Sequence, residues 1–255
     1  MRTKVLAVLS ICATLAFCAS SQAKIQRSRE KDPNYQYNLG LFYLNQNNVD
    51  EAVKYFVKAQ SLDTRFYLAL NGLGLAHSMK GRLDESVKAY QKCLEINPRF
   101  TEARNNLGTV FQEMNLLDKA EGEFKAALLD TGYQNRELPY FNLARLYVLQ
   151  NRLDEALENV QKSIQIKPRL AMAQHLRGVI FEKRNSLDEA IASYETAVKI
   201  VPEEVLFNYS LGVAYFKNGD YARAKEIFLK ISGKITDAET KDTINRYLKI
   251  IKDKG

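Results

Sequence analysis

Histidine and cysteine are scarce in this chain. It has two histidines, His77 and His175, far apart in sequence, and three cysteines, Cys12, Cys18 and Cys93, without metal-ligand spacing. No metal site is expected from such a set. No acid–base or nucleophile cluster is present, so no catalytic residues and no enzyme activity are expected. Gly-rich phosphate loops are missing too: Gly72 and Gly74 fall inside a helical pattern with no strand before them, and no cofactor is expected. The formal net charge is +7, but lysine and arginine are interleaved with acids along helices. No basic block stands out, which argues against nucleic acid as a partner. The longest apolar run, Val5 to Cys18, has 14 residues and is too short for an ordinary membrane span.

What the chain does have is a period. Leu39-Gly40, Leu73-Gly74, Leu107-Gly108, Leu143-Ala144, Arg177-Gly178 and Leu211-Gly212 recur every 34 residues, with one step of 36 between Gly108 and Ala144. A period of 34 marks stacked helix-turn-helix units. Counting each unit from its first residue (Pro33, Tyr67, Thr101, Glu137, Ala171, Val205), position 8 is Gly or Ala, where two helices must come close. Position 20 is small as well: Ala52, Ser86, Ala120, Ala156, Ala190 and Ala224. Rings fill the space so left, at position 24 (Phe56, Tyr90, Phe124, Tyr194, Phe228, with Val160 in the fourth unit) and at position 11 (Tyr43, His77, Phe111, Tyr147, Phe181, Tyr215). Position 15 is Asn47, Gly81, Asn115, Asn151, Asn185 and Gly219, residues that enter the left-handed conformation at a helix end. Asp50, Asp84, Asp118, Asp154 and Asp188 follow three residues later and suit the start of the next helix, as caps or as charges. Pro98, Pro168 and Pro202 stop second helices.

These positions resemble the tetratricopeptide repeat family. The resemblance implies an all-α fold: a right-handed superhelical solenoid of six helix-turn-helix repeats, 33–66, 67–100, 101–136, 137–170, 171–204 and 205–236, plus a C-terminal capping helix over 237–255. The longer joint after repeat 3 contains Thr131-Gly132-Tyr133-Gln134-Asn135. In the last segment, Thr236 and Glu239 read as a capping box. Ile244, Tyr247, Leu248 and Ile251 there form one apolar stripe that should cover the open end of repeat 6.

Residues 1–23 read as an export signal: Arg2 and Lys4, an apolar run, then small residues. Two cleavage readings stand. Ser21-Gln22-Ala23 suits cleavage before Lys24, and Leu15-Ala16-Phe17-Cys18 resembles a bacterial lipobox, in which Cys18 would be acylated and anchor the chain to a membrane. Residues 24–32 are polar and charged and read as a tether or a frayed helix start.

In the repeat family the first helix of each unit lines an inner, concave surface, mainly through positions 2, 5, 9, 12 and 13. The candidate partner-binding residues there are Tyr37, Leu41, Leu44, Asn71, Leu75, Asn105, Phe141, Val148, His175, Val179, Tyr209, Val213 and Phe216. This surface is apolar and aromatic at both ends, with a polar middle, and suits a protein segment held by side-chain amides and apolar pockets. The basic clamp of chaperone-binding relatives is missing, since position 5 has no Lys and position 9 no Asn.

The leader, the tether and six repeats in about 255 residues also resemble the type IV pilus pilotins. The run Ala120-Glu121-Gly122-Glu123-Phe124-Lys125-Ala126-Ala127-Leu128, followed by Tyr133 and by Glu137-Leu138-Pro139-Tyr140-Phe141-Asn142-Leu143, is similar to that family. The resemblance implies a lipoprotein of the periplasm or the periplasmic face of the outer membrane that binds a secretin segment in its groove and promotes ring assembly. A general periplasmic adaptor of another envelope complex, such as polysaccharide export, is the alternative expectation.

Overall fold

The computed structural model describes residues 26 and 28–254, so the export signal and Cys18 lie outside the described residues. The described residues form helices and turns without a strand. From Pro33 the first helices of the six repeats are α1 (Pro33–Asn45), α3 (Tyr67–Met79), α5 (Thr101–Glu113), α7 (Glu137–Leu149), α9 (Ala171–Lys183) and α11 (Val205–Lys217). Their second helices are α2 (Val49–Leu62), α4 (Leu83–Ile96), α6 (Leu117–Leu128), α8 (Leu153–Ile166), α10 (Leu187–Ile200) and α12 (Tyr221–Ser232), and α13 (Ala238–Lys254) follows. This is an all-α solenoid of six helix pairs with a C-terminal helix. The chain divides into two compact units, residues 1–120 and 121–255, with the division inside α6. In the first unit α1 to α5 each pack on the next helix in order, and in the second α7 to α13 do the same.

The turns follow from position 15. Asn47, Asn115, Asn151 and Asn185 have φ of 58–59°, and Gly81 and Gly219 have 69° and 79°. One left-handed residue lets the chain reverse with three residues outside helices. The aspartates after it sit in the first turn of the second helix and do not cap it: Asn48 is the side-chain cap of α2. Arg82 and Arg152 stand at the cap positions of α4 and α8 with no side-chain cap bond. The aspartates therefore act as charges at the positive helix end, and three of them also reach the following repeat, as Asp50 pairs with Lys80, Asp154 pairs with Arg184 and Asp188 accepts from Asn218 at 3.5 Å.

Helix pairs close around the small residues at position 8. A Cβ placed on Gly40, Gly74, Gly178 or Gly212 would lie 2.4–2.7 Å from the ring of Phe56, Tyr90, Tyr194 or Phe228 in the same repeat. Real carbon contacts need about 3.5–4.0 Å. Repeat 4 makes the complementary exchange, with Ala144 for Gly and Val160 for the ring, both fully buried. Ser86, at a position otherwise Ala, is satisfied by donating to the carbonyl of Gly74 at 2.6 Å. Arg177, in place of the usual Leu, donates through Nε to Ser193 Oγ at 3.0 Å, and burial lowers its pKa.

Position 4 holds the linkers. Arg104, Gln174 and Asn208 donate to the carbonyls of Pro98, Pro168 and Pro202 at 2.9–3.1 Å. These carbonyls lie two residues beyond the end of the preceding second helix, in the turn between repeats. Gln36 makes the same bond to Glu30 at 2.9 Å, and residues 28–30 are helical, so of the two readings of this stretch the helical one describes residues 28–30.

The C-terminal helix begins one residue later than the capping-box reading places it. Asp237 Oδ1, not Thr236, accepts the backbone N–H of Thr240, at 2.7 Å. The expected stripe faces inward: Ile244 and Ile251 are buried, and Tyr247 and Leu248 pack on the same cluster. The ring of Tyr247 stacks on Phe228, with centroids 5.2 Å apart.

Candidate partner-binding faces

Each unit presents its own first-helix face. In the first, Tyr37 is half-buried against Phe56 and Phe66, both 5.7 Å away by ring centroid. Leu41 and Leu44 are half-buried, and Leu75 is 38% exposed. Asn71 and Asn105, expected to hold a partner's backbone, are each 5% exposed. Asn71 donates to Glu102 at 3.3 Å and accepts from Asn106 at 3.4 Å. It joins two repeats and is not a free amide, because position 5 faces the following repeat more than the solvent.

In the second unit, Phe141 and Val148 are half-buried, and the guanidinium of Arg145 lies 5.9 Å from the Phe141 ring. The ring of His175 sits between Tyr194 and Phe207, at 5.2 and 5.1 Å, and its Nε2 is 2.9 Å from Ser210 Oγ. Burial lowers the pKa of His175, while Glu182 and Glu204 act to raise it. Val179, Tyr209, Val213 and Phe216 pack against the core cluster that α13 completes. Phe216 is 4.6 Å from Tyr247 by centroid, so α13 takes part of the aromatic end expected to meet a partner.

The most exposed apolar side chains of these faces lie elsewhere. Met79 and Leu149, at position 13, are 48% and 63% exposed; Met172 and Leu206, at position 2, are 45% and 47% exposed. Reading positions 5, 9 and 12 alone misses them, although the same periodicity puts positions 2 and 13 on the face. Polar groups flank them. Glu182 accepts from the Tyr194 hydroxyl at 2.8 Å and from Lys217 Nζ at 2.5 Å, fixing one acidic position on the second unit. Such a face can hold an apolar segment by burial and orient it with a few fixed polar groups.

Comparison with known proteins agrees with this architecture. Family models described as tetratricopeptide repeat match residues 33–66, 67–100, 89–122 and 139–170, with further matches over 180–219, described as TPR repeat, and 208–233. No curated protein sequence matches the chain. Among solved structures it is similar to pilF of Pseudomonas aeruginosa, with a TM-score of 0.75 and 18% identity over 86% of this chain and 99% of that one. It is similar to PilW, described as a widely conserved type IV pilus biogenesis factor, with a TM-score of 0.77 and 17% identity over 83% and 97% of the two chains. A chain of the APC/C hetero-tetramer Cut9-Hcn1 gives a TM-score of 0.75 at 17% identity over 86% of this chain, which spans 43% of that one. At these identities the likeness is one of fold. The periodic matches, the six left-handed turns and the stacked helix pairs agree: the chain belongs to the tetratricopeptide repeat family and is a scaffold for protein–protein interaction.

Proposed function

We propose that the chain is an exported, pilotin-like factor of type IV pilus assembly that binds a segment of a secretin on its first-helix faces. The observation that carries the reading is the set of exposed apolar side chains, Leu75 and Met79 in one unit and Leu149, Met172 and Leu206 in the other. Single exposed apolar residues are ordinary, but within each unit these share helical positions that a bound segment can cover together. The pilus assignment is supported by the similarity to pilF and PilW across nearly the whole of those chains. A basic start followed by an apolar run ending at Cys18 also fits export to the periplasm or the outer membrane. The mechanism is stoichiometric: an apolar strand or helix of the secretin is covered until it meets its neighbours.

Deleting the gene tests this. Loss of the heat-resistant secretin multimer, restored by the intact gene, is the expected result; an unchanged multimer removes the pilus role. Leu75→Glu with Leu149→Glu should restore the multimer poorly while leaving helicity unchanged, and a Cys18→Ala copy reports whether an acyl anchor matters.

A further inference from the structure

The joint after repeat 6 lacks a part that earlier joints supply. Phe66 and Phe100 each stand just before a first helix, and neither makes a side-chain cap bond. They use their rings instead. Phe66 lies edge-on to Tyr37 of its own repeat, with centroids 5.7 Å apart and planes at 88°. Phe100 packs on Tyr67 at 5.0 Å and 67°. Where the corresponding residue is Glu204, the next helix brings Phe207 to 5.1 Å from His175. At the last joint the corresponding residue is Asp237, and its carboxylate caps α13 through Thr240. No ring is recorded against Tyr209 among the described residues. Instead there is a cavity of about 430 Å³, lined by Val205, Leu206, Tyr209 and Ile235, with Thr236 and Thr240 adding hydroxyls and Lys234 and Asp237 adding charges at its edge. That volume falls in the range of ligand-binding clefts, roughly 300–1,000 Å³.

We infer that this socket takes a phenylalanine-like aromatic side chain from a segment of the partner protein. The chain itself shows the fit, since in repeat 1 its own Phe66 fills the like space against Tyr37, the counterpart of Tyr209. The partner ring would pack on Tyr209 as Phe66 packs on Tyr37. Leu206, on the exposed first-helix face, makes the socket continuous with the face that binds the client. The inference thus rests on the chain's being a protein-binding scaffold and adds the side-chain chemistry at one end.

The probe is N-acetylphenylalanine amide, with N-acetylalanine amide as control, added to the isotope-labelled protein and followed by NMR. Saturable shifts at Leu206, Tyr209, Ile235 and Thr240 are expected with the first amide and not with the second. Asp237→Phe, which supplies the missing ring, and Leu206→Arg, which blocks the edge, should each abolish them. Asp237→Ala, which loses the cap but leaves the socket open, should keep them. Unchanged Ile244 and Ile251 signals report that α13 stays docked. Equal shifts with both amides, no saturable shift, or binding that persists in either blocking variant would overturn the inference. The secretin multimer is read separately in cells, so failure of the socket and failure of the pilus role are distinguishable.

Discussion

Consider replacing Gly40 with alanine. In an exposed helix interior this change stabilises by about 1 kcal/mol, because alanine has the better helix propensity. At Gly40 the new methyl would stand 2.4 Å from Phe56 Cε1 and 2.5 Å from Cδ1, more than an ångström inside contact distance. The ring has little room to retreat, because a Cβ on Gly72, from the following repeat, would also stand 2.7 Å from it. Overpacking of this kind costs about 1–3 kcal/mol, and the hemmed ring puts this site at the upper end. The net expectation is a loss of about 2 kcal/mol. Gly122→Ala is the control: it lies within α6 with nothing near its Cβ, and should gain about 1 kcal/mol. Repeat 4 suggests the third variant. Combining Gly40→Ala with Phe56→Val copies the Ala144–Val160 pair, so alanine should now help, giving a coupling of about 3 kcal/mol in the double-mutant cycle. Denaturant unfolding followed by circular dichroism gives the overall change. Amide exchange in α1 and α2 localises it, which matters because repeats open in part independently. If Gly40→Ala stabilises as Gly122→Ala does, or if the two changes at Gly40 and Phe56 simply add, the close-approach argument is refuted.

Other outcomes follow from single sites. Burial lowers the pKa of His175 below its unfolded value of about 6.5. Its contribution to stability is therefore complete above that pH and is lost as pH falls through the lower folded value; the melting temperature of wild type should drop faster on acidification than that of His175→Phe. Cys93 is fully buried, and burial, with Glu102 adding to it, pushes its thiol up to about 12; a thiol reagent should label it only after unfolding. Asn185 has φ of 59°, so Asn185→Val should cost about 1–2 kcal/mol in denaturant unfolding, whereas Asn185→Gly should be tolerated.

The repeat was legible because its constraints are local. A left-handed residue at position 15 and a ring opposite a glycine each show in residue type at fixed spacing, and the six positive φ values and the Gly–ring contacts stand at those positions. The candidate face was legible only in outline. Periodicity tells which side of a first helix a residue occupies, but not how far the next repeat covers that side. Asn71, engaged with Glu102 and Asn106, and His175, held between two rings, show the consequence. Phe216 escaped for another reason, since its cover comes from Tyr247 of the terminal helix, outside the period. The cap at Asp237 differs from the Thr236 reading by a single residue, a shift that sequence pattern does not resolve.

The staples at position 4 have a kinetic consequence. Three first helices, α5, α9 and α11, bond to a carbonyl six residues earlier. Even the longest hydrogen bonds recorded among the described residues, such as Asn106 to Asn71, His175 to Ser210 and Lys217 to Glu182, span 35 residues. The search for native partners therefore never reaches much beyond one repeat. Chains with such short contact separations fold in microseconds to milliseconds. Within each unit, a repeat can thus lock onto the one before it as the chain is made, without waiting for the C-terminal helix.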